Sequence, residues 1–418
     1  MRSLRFIPFI ALQLHALFAS QAYAATNIQK ATSGGEDKMK YHADALISWL
    51  KESKGVWNPS IEMRRADPSD PTSRFGMFAN KDIVEGAILI HIPQSMLLDS
   101  REENPKGMEC GTVHNLIEQF GLKDESKYAP YVNYLLDTQP PGQLPSAWSE
   151  AGKRLFNLAL VGGDDKDGEQ AALPPGAPTN WVTPVTLPPG APTTWVDTFW
   201  HGTCKGSKDP LHEHASLLVV QRNWDDLLIP LFDMMNHRNG HWYNTISNEV
   251  HGGEPVVIKA RRDIKAGEEL YNSYNMCSDC YGRMTDYGTP EILRDYGFVE
   301  EYPHTWLFDD ADVAFRVDEI YDAKGNGTGE YKVTEWIDWV PLGEDMKEIQ
   351  VIYLKQIRDT KNKLFLERDP EVPEHEWLTV KNFLDAMEFD IKIAVRDFFE
   401  RMDDVEKTND GQFVFDEF

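Results

Sequence analysis

Pro230-Leu231-Phe232-Asp233-Met234-Met235-Asn236-His237 and Ala266-Gly267-Glu268-Glu269-Leu270-Tyr271-Asn272-Ser273-Tyr274 carry most of the structural information in this chain. The first runs from apolar residues into an amide and an imidazole. The second opens on a glycine turn and continues as a short strand, where alternation puts Asn272 and Tyr274 on one face and Tyr271 and Ser273 on the other. Three phrases flank them in a definite order. Arg74-Phe75-Gly76-Met77-Phe78-Ala79 comes first, with Asp82-Ile83 and Glu85-Gly86 close behind. Gln221-Arg222-Asn223-Trp224 stands just before the first stretch, and Leu293-Arg294-Asp295-Tyr296-Gly297-Phe298-Val299 closes the series.

Around these phrases the pattern alternates between helix and strand. Tyr41 to Lys51 has helical spacing at Ala45, Leu46, Trp49 and Leu50. Ala87 to Ile92 reads as a strand stopped by Pro93. Val113 to Phe156 turns helical, with Leu116, Ile117 and Phe120, then Tyr131, Tyr134 and Leu135. Strand-like runs are expected at Leu217-Leu218-Val219-Val220, Leu227 to Leu231 and Pro255 to Ile258. Toward the C-terminus, Ile349, Ile352, Tyr353 and Ile357, then Trp377 to Met402, repeat at the period of packed helices. The glycine- and proline-rich segment Gly162 to Thr198 contains one ten-residue phrase twice, Leu173–Val182 and Leu187–Val196, with Asn180 against Thr194 the single difference. Two copies are too few for a solenoid, so a duplicated surface loop is expected.

The 418 residues are 41% hydrophobic and 11% aromatic, enough for two or three domains with sizeable cores. A formal charge of −26 argues against a nucleic-acid binder, which needs Lys and Arg on phosphates, and favours basic protein partners. Arg2 and Arg5 precede an apolar stretch from Phe6 to Ala19, and Ala22-Tyr23-Ala24 supplies small residues for cleavage. That stretch falls short of the roughly 20 residues of a membrane span, so residues 1–24 read as a secretory signal peptide. No membrane association is expected once it is cleaved. The expected location is the secretory pathway, extracellular or an endomembrane lumen, with a plastid reached by the same route as the variant. Asn326-Gly327-Thr328 is a glycosylation tripeptide consistent with that route. In an oxidising lumen Cys110, Cys204, Cys277 and Cys280 have three possible pairings. His201, Cys204, His212 and His214 cluster in sequence, but at no recognised ligand spacing, and no metal is expected. Gly-x-Ser-x-Gly, phosphate-cradling and dinucleotide fingerprints are absent.

The five phrases in this order, with a helical stretch between the first two, resemble SET-domain methyltransferases of the Rubisco large-subunit methyltransferase-like class, in which a helical insert splits the SET core. Ser126-Lys127-Tyr128-Ala129-Pro130-Tyr131-Val132, Leu144-Pro145 and Trp148-Ser149 are similar to that insert. The resemblance implies an α+β fold with a SET-type β-rich core. Residues 41–100 and 216–300 would form the two parts of that core, residues 101–215 the helical and loop insert, and residues 301–418 a C-terminal helical substrate-binding domain.

The resemblance also implies S-adenosylmethionine as cofactor and a protein substrate, with lysine as acceptor and histidine as the variant. The function implied is a protein-lysine N-methyltransferase acting on a non-histone protein, against the alternative of an inactive SET-fold module that binds peptides or partner proteins. Gly76 and the backbone of Met77 and Phe78 would line the cofactor site. Arg222 would pair with the methionine carboxylate, and Asn236 and His237 would hold the amino group and adenine. Tyr274 would be the catalytic tyrosine, with Tyr296 and Phe298 walling the adenine pocket and the target-lysine channel. Two departures stand out: Met77-Phe78 replaces the commoner Gly-Leu type, and Met276 to Thr289 lengthens the segment after Tyr274.

Overall fold

The computed structural model describes residues 37–408 except 101–107, 162–194, 225, 249, 251–253, 276–286, 309–312, 323–324, 326, 338–340, 342 and 367. The signal peptide, nearly all of the repeated phrase, Cys277, Cys280, Asn326 of the tripeptide and most of the lengthened segment lie outside the described residues.

The first helix, α1 (Lys38–Glu52), starts where the Asp37 side chain accepts the Met39 N–H, and it buries Ala43, Leu46 and Leu50. Short strands follow: β1 (Val56–Trp57), β2 (Ile61–Arg65), β3 (Phe75–Ala79) and β4 (Ile88–Ile92). The insert supplies α2 (Met108–Leu122), α3 (Ala129–Thr138), α4 (Glu150–Val161), a π-helical turn at Val196–Thr203 and α5 (Pro210–Arg222). The chain then returns through β5 (Asn223–Trp224), β6 (Leu227–Leu228), β7 (Asn236–His237), β8 (Thr245–Ser247), β9 (Val256–Ala260) and β10 (Tyr271–Asn272) to α6 (Thr289–Tyr296). Strands β1, β4, β9 and β8 form one antiparallel sheet in that order, and β2 pairs with β3. Around them lies the first core, from Ala43 to Leu270.

Leu217-Leu218-Val219-Val220 is helix, not strand: it is the middle of α5. Asp209 caps this helix by accepting the Leu211 N–H, and Pro210 sits in its first turn, where a missing N–H costs nothing. Six consecutive residues, His214 to Val219, are buried. A helix enclosed on every side shows no polar face, and a short apolar run then has no period by which to tell it from a strand. Of the expected strand at Leu227 to Leu231, only Leu227–Leu228 pairs.

The second core differs from expectation more. Residues 301–418 are not helical throughout. They begin with the antiparallel sheet β11 (His304–Phe308), β12 (Val313–Tyr321) and β13 (Gly327–Trp336), on which α9 (Glu374–Thr408) packs. Alternating burial along β12 shows one face turned to the core: Val313, Phe315 and Val317 are buried with half-buried residues between. Helices α7 (Gly343–Glu348) and α8 (Leu354–Leu366), joined by a π-helical turn, complete the unit. Trp148, Leu155 and Phe156, which the sequence groups with the insert, belong to this second core. Glu376 of α9 ties them there by accepting the Ser149 backbone N–H at 2.8 Å and hydroxyl at 2.6 Å.

Candidate active site

The two stretches quoted first lie side by side. Asn236 pairs with Tyr271 and His237 with Asn272 in parallel, so residues 35 apart in the chain share one short ladder. Leu231 enters this ladder with a φ of 70°, in the left-handed region that few non-glycine residues adopt. Its side chain is fully buried, and that burial holds the backbone in the turn that leads through Phe232–Met234 to Asn236.

A cavity of about 670 Å³ opens against the ladder, and it brings together Arg222, Asn236, Tyr274, Tyr296 and Phe298. Arg222 donates to the Asp233 carbonyl at 2.9 Å and to Gln139 Oε1 at 2.5 Å. Burial works against its charge, but Tyr134, Asp233 and Tyr131 around it hold its pKa above the ordinary arginine value. Asp233 lies 3.5 Å from the guanidinium, accepts the Tyr131 hydroxyl, and has its pKa raised by burial. Two buried polar atoms here have no hydrogen-bond partner among the described residues: Arg222 Nε and Asp233 Oδ1. Buried polar atoms are normally paired, so a donor on Arg222 and an acceptor on Asp233 left without partners suit a ligand carrying both charges.

Tyr274 donates its hydroxyl hydrogen to the Met235 carbonyl at 2.6 Å, and burial raises its pKa, so it stays protonated. Its ring lies 4.6 Å from Tyr296 and 6.4 Å from Phe298. Tyr271 points elsewhere, as alternation predicts: its hydroxyl donates to Glu269 at 2.9 Å and receives Arg74 at 2.6 Å.

The remaining expected residues stand behind the cavity wall. A Cβ on Gly76 would fall 2.3 Å from Glu269 Oε1 and 2.8 Å from Asn236 Nδ2, so a larger residue here would have to displace both side chains. Asn236 Nδ2 in turn donates to the Phe75 carbonyl at 3.0 Å and to Glu269 at 2.6 Å. Met77 and Phe78 are buried in the pairing of β3 with β2 and with Leu270, and the cavity meets this strand at Phe75 instead. The His237 ring is fully enclosed between Glu300 and the Tyr274 backbone and does not reach the cavity surface. Asp233, Gln139, Tyr134 and Trp195 also line the cavity and were not expected there. Asp233 lies inside a quoted phrase, but nothing in its spacing marks it. Gln139 comes from the end of α3, and only the tertiary fold brings it to Arg222.

The His201 cluster has other partners. Cys204 is bonded to Cys110, with Cα atoms 5.4 Å apart. His201 meets Glu213 and the Gly206 carbonyl, His212 meets Ser207, and His214 meets the Gln139 carbonyl. No group of three or more metal-ligating side chains occurs among the described residues, and no helix among them is long and apolar enough to cross a membrane.

Residues 74–275, from the Arg74 phrase to just past Tyr274, match the family model of the SET domain. Curated relatives include the N-lysine methyltransferase setd6 of Xenopus laevis, 22% identical over 283 residues, which are 62% of this chain and 57% of the relative. The setd6 of Danio rerio is 20% identical, covering 67% and 62%. The matches thus span about three fifths of these relatives' length. Among solved structures, the chain is similar to Rubisco LSMT bound to sinefungin and monomethyllysine, at 12% identity and a TM-score of 0.45, covering 88% of this chain and 94% of that one. Rubisco LSMT bound to AdoMet gives 12%, 0.43, 88% and 97%.

Proposed function

We propose that this chain is an S-adenosylmethionine-dependent protein-lysine N-methyltransferase acting on a non-histone protein. The observation that carries this reading is Tyr274 at the wall of the cavity, beside a buried Arg222 and Asp233 that each leave one polar atom open. The open donor and acceptor fit the α-amino acid end of the cofactor, with Arg222 taking the carboxylate and Asp233 the ammonium. The relatives named N-lysine methyltransferase support the same reaction. When bound, the cofactor supplies an electrophilic methyl group on a sulfonium.

This chain's residues then have to deliver a neutral amine in line with that methyl at about 3 to 3.5 Å. Deprotonating a lysine of pKa about 10.4 costs roughly 4 to 5 kcal/mol at pH 7, and a dry wall such as Tyr296 and Phe298 lowers that pKa. Tyr274 has spent its proton on Met235, so its oxygen offers lone pairs. It orients the amine by accepting an amine N–H and is not a general base. The chain's net charge of −26 favours a basic protein substrate. The Cys110–Cys204 disulfide supports an oxidising compartment, as the N-terminal residues suggest.

The test is incubation of the full chain with labelled cofactor and protein extract, read by mass spectrometry. Methyl-lysine on extract proteins, lost in Tyr274→Phe, is expected. Bound cofactor without transfer to any protein would favour the inactive module, and methyl-histidine alone would move the acceptor class.

A further inference from the structure

We propose that Glu300 is a positioning residue that acts on Tyr274 through His237. This inference rests on the methyltransferase reading above for its kinetic arm only. The Tyr274 backbone N–H donates to His237 Nδ1 at 3.0 Å. A backbone N–H only donates, so Nδ1 carries no hydrogen and the ring hydrogen sits on Nε2. Nε2 faces Glu300 Oε2 at 2.7 Å, and both side chains are fully buried. The same carboxylate accepts Asn239 at 3.2 Å and the Thr289 hydroxyl at 2.5 Å, so every partner given for it is a donor. With Nε2–H engaged, one tautomer is imposed, and that tautomer alone can accept the Tyr274 amide.

The consequence reaches the reacting atoms. Tyr274 is held at two points: its amide by His237 and its hydroxyl by Met235, two residues before His237. The His237 ring also lies 5.0 Å from the Tyr274 ring and 6.2 Å from Phe298. Glu300 does not line the cavity; the imidazole gives it the shortest path to Tyr274, and a longer one runs through Asn239, which bonds Ser273 and Asn275 on either side of Tyr274.

Three variants of the full chain test this. In Glu300→Gln the amide oxygen can still accept Nε2–H while the amide hydrogens turn to the Thr289 hydroxyl, so transfer should stay within about threefold of the parent. Glu300→Met removes every acceptor, and transfer should fall about 10- to 100-fold, the scale seen when the partner that orients a metal-ligating histidine is removed, with cofactor affinity by calorimetry little changed. Placed on His237→Ala, Glu300→Met should cost far less than it does alone, because the imidazole path is already cut and only the Asn239 link remains. Additive losses in that double variant, or a full rate in Glu300→Met, would overturn the proposal. Should Glu300→Met not fold, nitrogen-15 NMR of the parent, with His237 assigned by its loss in His237→Gln, still decides. A protonated Nε2 and bare Nδ1 are expected, and the opposite tautomer or an imidazolium refutes the arrangement. That spectrum needs no turnover, so a chain that methylates nothing would defeat the methyltransferase reading and leave this one standing or falling on its own.

Discussion

In the SET half of the molecule, His237 has a backbone N–H on one ring nitrogen and the Glu300 carboxylate on the other. In the C-terminal half, His304 is equally buried, but both of its nitrogens face acceptors: Asp390 Oδ2 at 2.7 Å and the Glu300 carbonyl at 2.8 Å. The first histidine must therefore be neutral and the second must donate twice, as an imidazolium. Burial works against that charge, but Asp390 outweighs it and the His304 pKa is raised. The same residue type beside the same kind of partner is thus a fixed geometric element in one place and an ion pair in the other. Glu300 belongs to both, through its side chain on one side and its backbone on the other. What sets the charge of a buried histidine is the second partner, not the carboxylate.

The sharpest way to break this contrast is Asp390→Ala. It strands the His304 charge together with the Tyr302 hydroxyl and Trp306 Nε1, which also donate to Asp390. Calorimetry should show a loss of about 3 to 5 kcal/mol, the cost of leaving one buried charge without its partner. On the other side, Tyr274→Phe should lower methyl transfer roughly 100- to 1000-fold, or about 2.7 to 4 kcal/mol, with a smaller loss of stability, about 1 to 3 kcal/mol, for the Met235 carbonyl it leaves unpaired.

Stability against pH tests the His304 ion pair more finely. The folded pKa of His304 lies above the unfolded value, so its contribution is complete below about pH 6.5 and lost as pH rises through the folded value. His304→Gln should flatten that decline. Glu291 slopes the same way at lower pH, because burial pushes it up to about 7, so its stability contribution falls as pH rises from the ordinary glutamate value to about 7 and stays low above that. Glu291→Gln should therefore raise stability at pH 8 by about 1 to 3 kcal/mol, with little gain near pH 5, in thermal melts at the two pH values. Smallest of all is the control Tyr271→Phe, whose hydroxyl lies outside the cavity: methyl transfer should change by less than about threefold, the scale of one hydrogen bond away from the reacting groups.

Much of the SET half was legible because its signals are local. Gly76 marks a close approach, Asn236 opens β7, Tyr274 lies two residues past β10 on a stretch read by its alternation, and proline stops β4 at Ile92. The cavity's other half was not legible. Gln139 and Trp195 reach it only through the packing of the insert, and nothing in their neighbours' spacing reveals that. His237 was legible as part of a phrase but not in its role, because its direction depends on Glu300, 63 residues away. The C-terminal sheet was missed for a different reason. Strand β13 exposes much of its length, with Tyr331 and Val333 its buried residues, so its alternation is weak against the strong helical period that follows.

The bond between Cys110 and Cys204 closes a loop of 94 residues around nearly the whole insert. Seen mechanically, it is a tether. If the two ends of the protein are drawn apart, that loop cannot pay out, and at about 3.3 to 3.6 Å for each extended residue some 310 to 340 Å of chain stays withheld. A single-molecule extension trace taken before and after treatment with a dithiol should differ by that length. Any lengthening or shortening of the sequence inside the loop would change the withheld length in proportion, while the point at which the two halves of the SET domain are joined stays the same.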